Sequence, residues 1–151
     1  MLRAALTALD AEPGIMLEAA SPIVASAPLG PSRRRYANAA AILASDLAPP
    51  GLLARLHALE QRFARRRRGR AWGARTLDLD IVLWSQGRWT SPGLTVPHPA
   101  YRERLFVLAP ALVIARAWRD PLTGATIAHQ AARLRRARPV AHQVDRHRPR
   151  A

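Results

Sequence analysis

A chain of 151 residues with 49% hydrophobic content can bury a single core, and no apolar run reaches the roughly 20 residues that a membrane span requires. The absence of cysteine excludes disulfide frameworks and thiolate metal sites, which suits a reducing compartment, so the cytoplasm is the expected location. All 24 basic residues are arginine, set against 10 acids, and the formal charge of +14 favours anionic partners, from nucleotides to nucleic acids.

Along the chain, Leu2, Ala5, Leu6 and Leu9 recur at helical spacing until Pro13-Gly14 breaks the pattern. This opening segment, MLRAALTALDAEPG, lacks the continuous apolar centre of a secretory signal. Ile15 to Ala20 reads as a strand, Ser26 to Ser32 as a Pro-rich loop, and Tyr36 to Leu43 as a second strand. Pro49-Pro50-Gly51 then introduces Leu52, Leu53, Leu56, Leu59 and Phe63, the apolar stripe of a helix that must pack on a sheet. It runs into Arg65-Arg66-Arg67-Arg68-Gly69-Arg70, whose like charges predict an exposed loop. A strand is expected from Thr76 to Trp84, a turn around Ser85 to Arg88, and a helix near Val107 to Ala117. Residues 1–132 form the expected domain, and Arg133 to Ala151, basic and without apolar periodicity, the expected frayed tail.

Chemistry concentrates in RTLDLDIVLW. Leu77, Leu79, Ile81 and Leu83 alternate with Asp78, Asp80 and Val82, the period of a half-buried strand, so both carboxylates share a face. Their backbones lie roughly 6.6 Å apart at a rise of about 3.3 Å per residue, close enough to converge on a metal site. Oxygen-only ligation favours Mg²⁺. Arg75 and the arginine loop gather cations at the same edge, as a triphosphate requires. The plainer alternative is a solvated strand face whose acids offset nearby arginines.

Three stretches, PLGPSRRRYANAA, ALEQRFARRRRGRAWGARTLDLDIVL and LTVPHPAYRERLFVLAP, resemble in order the signatures of the 6-hydroxymethyl-7,8-dihydropterin pyrophosphokinase family. The resemblance covers about Leu2 to Ala132, and W-G-x-R-T-L-D-L-D-I followed by L-T-V-P-H-P is its specific part. It implies an α+β, ferredoxin-like fold, with the family's first strand and G-S-N type loop missing from this chain. By resemblance, Asp78 and Asp80 hold two Mg²⁺ ions on ATP, and Arg65 and Arg75 join them in the catalytic set. Glu60, Arg67, Trp72, Arg75, Ile81, Thr95, His98 and Arg104 match nucleotide-side positions, and the segment from Arg65 to Trp72 matches a closing loop. Tyr36 and Phe106 match the aromatic pair that holds the pterin ring, with Asn38 and the backbone around Leu29 reading its edge. The implied partners are ATP and the hydroxymethylpterin, acting on a monomer, with neither a membrane nor specific nucleic-acid binding.

Departures and alternatives stand beside this reading. Ala64 replaces a glycine common before Arg65, and Gly93 stands where some members carry an arginine or an acid. Tyr36 and Phe106 could be core aromatics, His98 a solvated loop histidine, and Trp72 a cap on the core. The chain could also be an inactive fragment lacking the first strand, or an arginine-rich nucleic-acid-binding module, although no aromatics interleave the basic run.

Overall fold

The computed structural model describes residues 1–26, 36–65 and 77–137. The architecture is α+β: the described residues form four α-helices and short antiparallel ladders. Helix α1 (Leu2–Asp10) buries Ala5 and Leu9, the stripe read from its spacing, and ends before Gly14, whose φ of +78° turns the chain at little steric cost. Strand β1 (Ile15–Ala20) pairs with β4 (Ala41–Ser45), and β2 (Val24–Ser26) with β3 (Tyr36–Asn38).

The strand expected from Tyr36 to Leu43 is thus two strands, β3 and β4, with different partners. The break at Ala39-Ala40 has a specific cause in Ser21, which is buried opposite it. The backbone N–H of Ser21 donates to Ala40 O at 2.8 Å, while its Oγ accepts from Ala40 N at 2.9 Å. A hydroxyl therefore satisfies the backbone where the ladder changes partner, and both hairpins can share one continuous segment.

Helix α2 (Pro49–Arg65) sinks Leu56 and Leu59 against Leu9, with Leu43, Leu52, Phe63, Leu79 and Ile81 packed around them. Glu12 in the α1–β1 turn receives Arg62 and, at 4.0 Å, Arg55, which ties α2 to α1 from the solvent side. A second cluster forms where α3 (Leu105–Ala115) and α4 (Ile127–Ala137) meet the single 3₁₀ turn Tyr101–Glu103: Tyr101, Leu108, Ile127 and Ala131 are buried there. Strands β5 (Trp89–Ser91) and β6 (Leu94–Val96) form a hairpin whose two-residue loop is Pro92-Gly93. Gly93 sits at φ +76°, the conformation a proline-first tight turn needs at its next position.

Two expectations change. Among the described residues, 77–83 is extended but belongs to no ladder, so the strand expected from Thr76 to Trp84 is absent as a paired strand; Thr76 itself lies outside the described residues. Side-chain packing holds the segment in place of strand pairing. Leu79 and Ile81 enter the cluster on α1 and α2, while Val82 and Leu83 enter the one on α3 and α4. Helix α3 also starts earlier than expected, at Leu105, and α4 runs to Ala137, into the segment read as tail. No helix is long and apolar enough to cross a membrane among the described residues.

Candidate active site

The acidic segment gains its geometry from the two clusters that grip it. Leu77 and Leu79 are half-buried while Asp78 and Asp80 are exposed, so the period-two pattern survives without a partner strand. Between the two acids, the backbone N–H of Leu79 donates to Glu60 Oε1 at 2.6 Å. Glu60 on α2 thereby occupies the one backbone donor that lies between the two carboxylates, and it fixes the segment's height above the helix. This places Glu60 behind the acidic pair as a positioning group.

A second anchor lies two residues further on. Val82 O accepts from the backbone N–H of His98, at 2.9 Å, immediately after the cis peptide between Val96 and Pro97. The His98 ring then sits beside Asp80: its Nε2 is 3.9 Å from Asp80 Oδ2. Its Nδ1 accepts from Ala100 N at 3.2 Å, which assigns the proton of the neutral ring to Nε2, facing Asp80. Asp78, Asp80, Glu60 and His98 are thus assembled from α2, the extended segment and the loop after β6.

The other matched residues distribute on either side. Thr95 on β6 is exposed between buried Leu94 and Val96, three residues before His98. Ile81 is half-buried in the α1–α2 cluster, a packing role. Arg104 caps the start of α3 through its carbonyl, which accepts from Val107 N and Leu108 N. Its guanidinium lies 5.8 Å from the centre of the Phe106 ring. Helix α3, carrying Phe106, packs against β2 and β3. Tyr36 on β3 is 49% exposed, free to meet a planar ligand, and Asn38 donates through Nδ2 to Ser26 Oγ at 2.8 Å. That bond orients the amide, and Ser26 is a partner that no motif singled out. Leu29, Arg67, Trp72 and Arg75 lie outside the described residues, as does the side chain of Arg65.

Two exposed carboxylates suit a hard cation that keeps several waters and takes its remaining ligands from phosphates. Among the described residues no group of three or more His, Cys, Asp and Glu converges as a metal site. A concavity of about 370 Å³ lined by Leu83, Trp84, Trp118 and Pro121 shares no residue with this assembly. Its one charged side chain, Arg119, donates to Gly124 O at 2.8 Å, and no carboxylate lines it. The carboxylate assembly is the candidate site.

Comparison with known proteins supplies a family. The family model described as 7,8-dihydro-6-hydroxymethylpterin-pyrophosphokinase matches residues 1–116. A 2-amino-4-hydroxy-6-hydroxymethyldihydropteridine pyrophosphokinase of Synechocystis is 40% identical over 126 residues, which is 83% of this chain and 64% of that protein. Proteins of the same name from Pseudomonas aeruginosa and Haemophilus influenzae are 43% and 39% identical, over 80% and 76% of this chain and 74% and 71% of their own lengths. The chain therefore spans just under two thirds of the Synechocystis relative and about three quarters of the other two.

Proposed function

The chain belongs to the 7,8-dihydro-6-hydroxymethylpterin-pyrophosphokinase family, and from that membership we propose that it moves diphosphate from ATP to 6-hydroxymethyl-7,8-dihydropterin, releasing AMP. The observation that carries this reading is the pair of exposed carboxylates, Asp78 and Asp80, held two residues apart by Glu60 behind them and His98 beside them.

In this reading Asp78 and Asp80 would hold Mg²⁺ beside the ATP phosphates, two ions by the family resemblance. Bound there, the ions would neutralise phosphate charge and bring the attacking and leaving oxygens into line. The chain's own part is placement. Glu60 keeps the backbone between the acids from drifting, and the hydrophobic anchors Leu79 and Ile81 prevent the segment from rolling its acids away from the nucleotide. His98 offers its Nε2 proton toward the same face, where a phosphate oxygen competes with Asp80 for it. Arg104 supplies a cation beside Phe106, and Tyr36, Phe106 and Asn38 receive the pterin, two by stacking and one by hydrogen bonding. By the family resemblance, Arg65, Arg67, Trp72 and Arg75 would serve the nucleotide side.

The reaction needs no protein nucleophile: the pterin hydroxymethyl oxygen attacks the β-phosphorus of ATP, the bond from that phosphorus to the α–β bridging oxygen breaks, and AMP leaves. Catalysis is then positioning and charge stabilisation. The test is AMP formation from ATP with purified chain, expected only when Mg²⁺ and the hydroxymethylpterin are both present. ATP breakdown that ignores the pterin would overturn the assignment.

A further inference from the structure

Asp120 and Gln130, beyond residue 116 where the family match ends, join Tyr101 and Arg102 in a buried polar cluster that the reaction does not yet use. Asp120 has no solvent exposure, yet it carries a carboxylate. Its Oδ2 accepts from Tyr101 Oη at 2.8 Å and from Arg102 Nε, and lies 3.4 Å from Gln130 Nε2. Its Oδ1 accepts from Leu122 N at 2.8 Å. Gln130 Nε2 donates to Tyr101 Oη at 2.9 Å, closing the cluster onto α4. Burial by itself would raise the Asp120 carboxyl, but the bonds from Arg102, Leu122 and Tyr101 outweigh it and hold the group well below the ordinary carboxylate range.

The placement of this cluster is informative. Tyr101 and Arg102 form the turn between His98 and Arg104, the two nucleotide-side residues of the loop after β6. That loop is fixed at one end by His98 N on Val82 O, and within itself by Tyr101 N on His98 O and Arg104 N on Tyr101 O. From within this loop the side chains of Tyr101 and Arg102 both end on Asp120. We propose that Asp120 is a positioning residue for the nucleotide side of the site, clamping the turn Tyr101–Glu103 so that His98 keeps its place beside Asp80 and Arg104 its place beside Phe106. The proposal rests on the reading of the site as a Mg²⁺–ATP site.

Losing the Asp120 charge leaves the Arg102 guanidinium, whose Nη2 is already buried without a partner among the described residues, short of its carboxylate. The cheapest relief is for the turn to swing outward and let Arg102 reach water, and His98 and Arg104 move with it.

The experiment compares wild type with Asp120→Asn, and with Tyr101→Phe as the milder variant that folds should the first not. KM for Mg²⁺–ATP is expected to rise about tenfold in Asp120→Asn and about threefold in Tyr101→Phe, with KM for the pterin within about twofold of wild type. In parallel, long-range ¹H–¹⁵N spectra of the imidazoles read the tautomer of His98, whose signal His98→Gln identifies. The wild-type ring should show an unprotonated Nδ1, and Asp120→Asn a mixture of tautomers. A loss of turnover that follows only the folded fraction, with both KM values unchanged, overturns the proposal, as does an unaltered His98 signature. Should wild type itself show no pterin-dependent turnover, the reading of function fails, while the His98 spectrum still decides whether Asp120 sets the loop.

Discussion

Replacing Glu60 separates two roles for it, a nucleotide contact and a prop beneath the acidic segment. Its carboxylate accepts from Leu79 N at 2.6 Å, and hydrogen bonds to charged groups contribute about 1.5–3 kcal/mol net. Glu60 is half-buried, so the lower half of that range applies, and Glu60→Ala should cost about 2 kcal/mol in chemical denaturation. Glu60→Gln keeps a carbonyl acceptor at the same reach and should cost about 1 kcal/mol. If the whole of the larger loss reappears as misplacement of Asp78 and Asp80 in the transition state, kcat/KM falls about 30-fold, since 1.36 kcal/mol corresponds to a factor of ten. The assay is AMP formation against Mg²⁺ concentration. A prop predicts Gln between wild type and Ala, with the Mg²⁺ requirement raised in both. Equal damage from Gln and Ala, confined to KM for ATP and without loss of stability, would refute the prop and return Glu60 to the nucleotide.

Two further outcomes follow from the cores on either side of the segment. Leu59, 1% exposed at the centre of the α1–α2 cluster, should cost about 3 kcal/mol as Leu59→Ala, read as a lower denaturation midpoint at unchanged slope. Burial, only partly opposed by the Gln130 hydrogen bond, pushes the Tyr101 hydroxyl up to about 12 from an ordinary value of 10.0. A raised pKa means that stability is complete below pH 10 and falls as pH climbs toward 12, by up to about 3 kcal/mol. Denaturation of wild type and Tyr101→Phe across that window should show the decline in wild type and a flatter curve in the variant; parallel curves would mean that the phenol is not held neutral by the fold.

Much of this site can be read from residue order because its cues are local. The alternation in Leu77-Asp78-Leu79-Asp80 forces both acids outward whether or not a strand pairs with the segment, and the exposures follow it. The stripe on α2 and the breaker at Pro13-Gly14 likewise act within a few residues. What escaped is non-local. Ser21, which splits the second strand into β3 and β4, acts across nineteen residues through a hydroxyl that looks like loop polarity. Asp120, ahead of Pro121 and Gly124, carries the signature of an exposed turn, and Gly124 N does bond back to Asp120 O at 2.8 Å. Only tertiary packing reveals that the same residue turns its carboxylate inward to Tyr101 and Arg102. Residues 77–83 looked like a paired strand because periodicity reports which face is buried and is silent on whether a neighbour is present to hydrogen-bond.

The central claim is that Asp78 and Asp80 act as one unit on the nucleotide, and a double-mutant cycle on pterin-dependent AMP formation tests it most directly. Asp78→Asn and Asp80→Asn should each lower kcat/KM by about a thousandfold or more, with the double variant little worse than either, because a metal site missing one ligand pair has already failed. Turnover near wild type in either single variant, or losses that simply multiply in the double, would contradict the account.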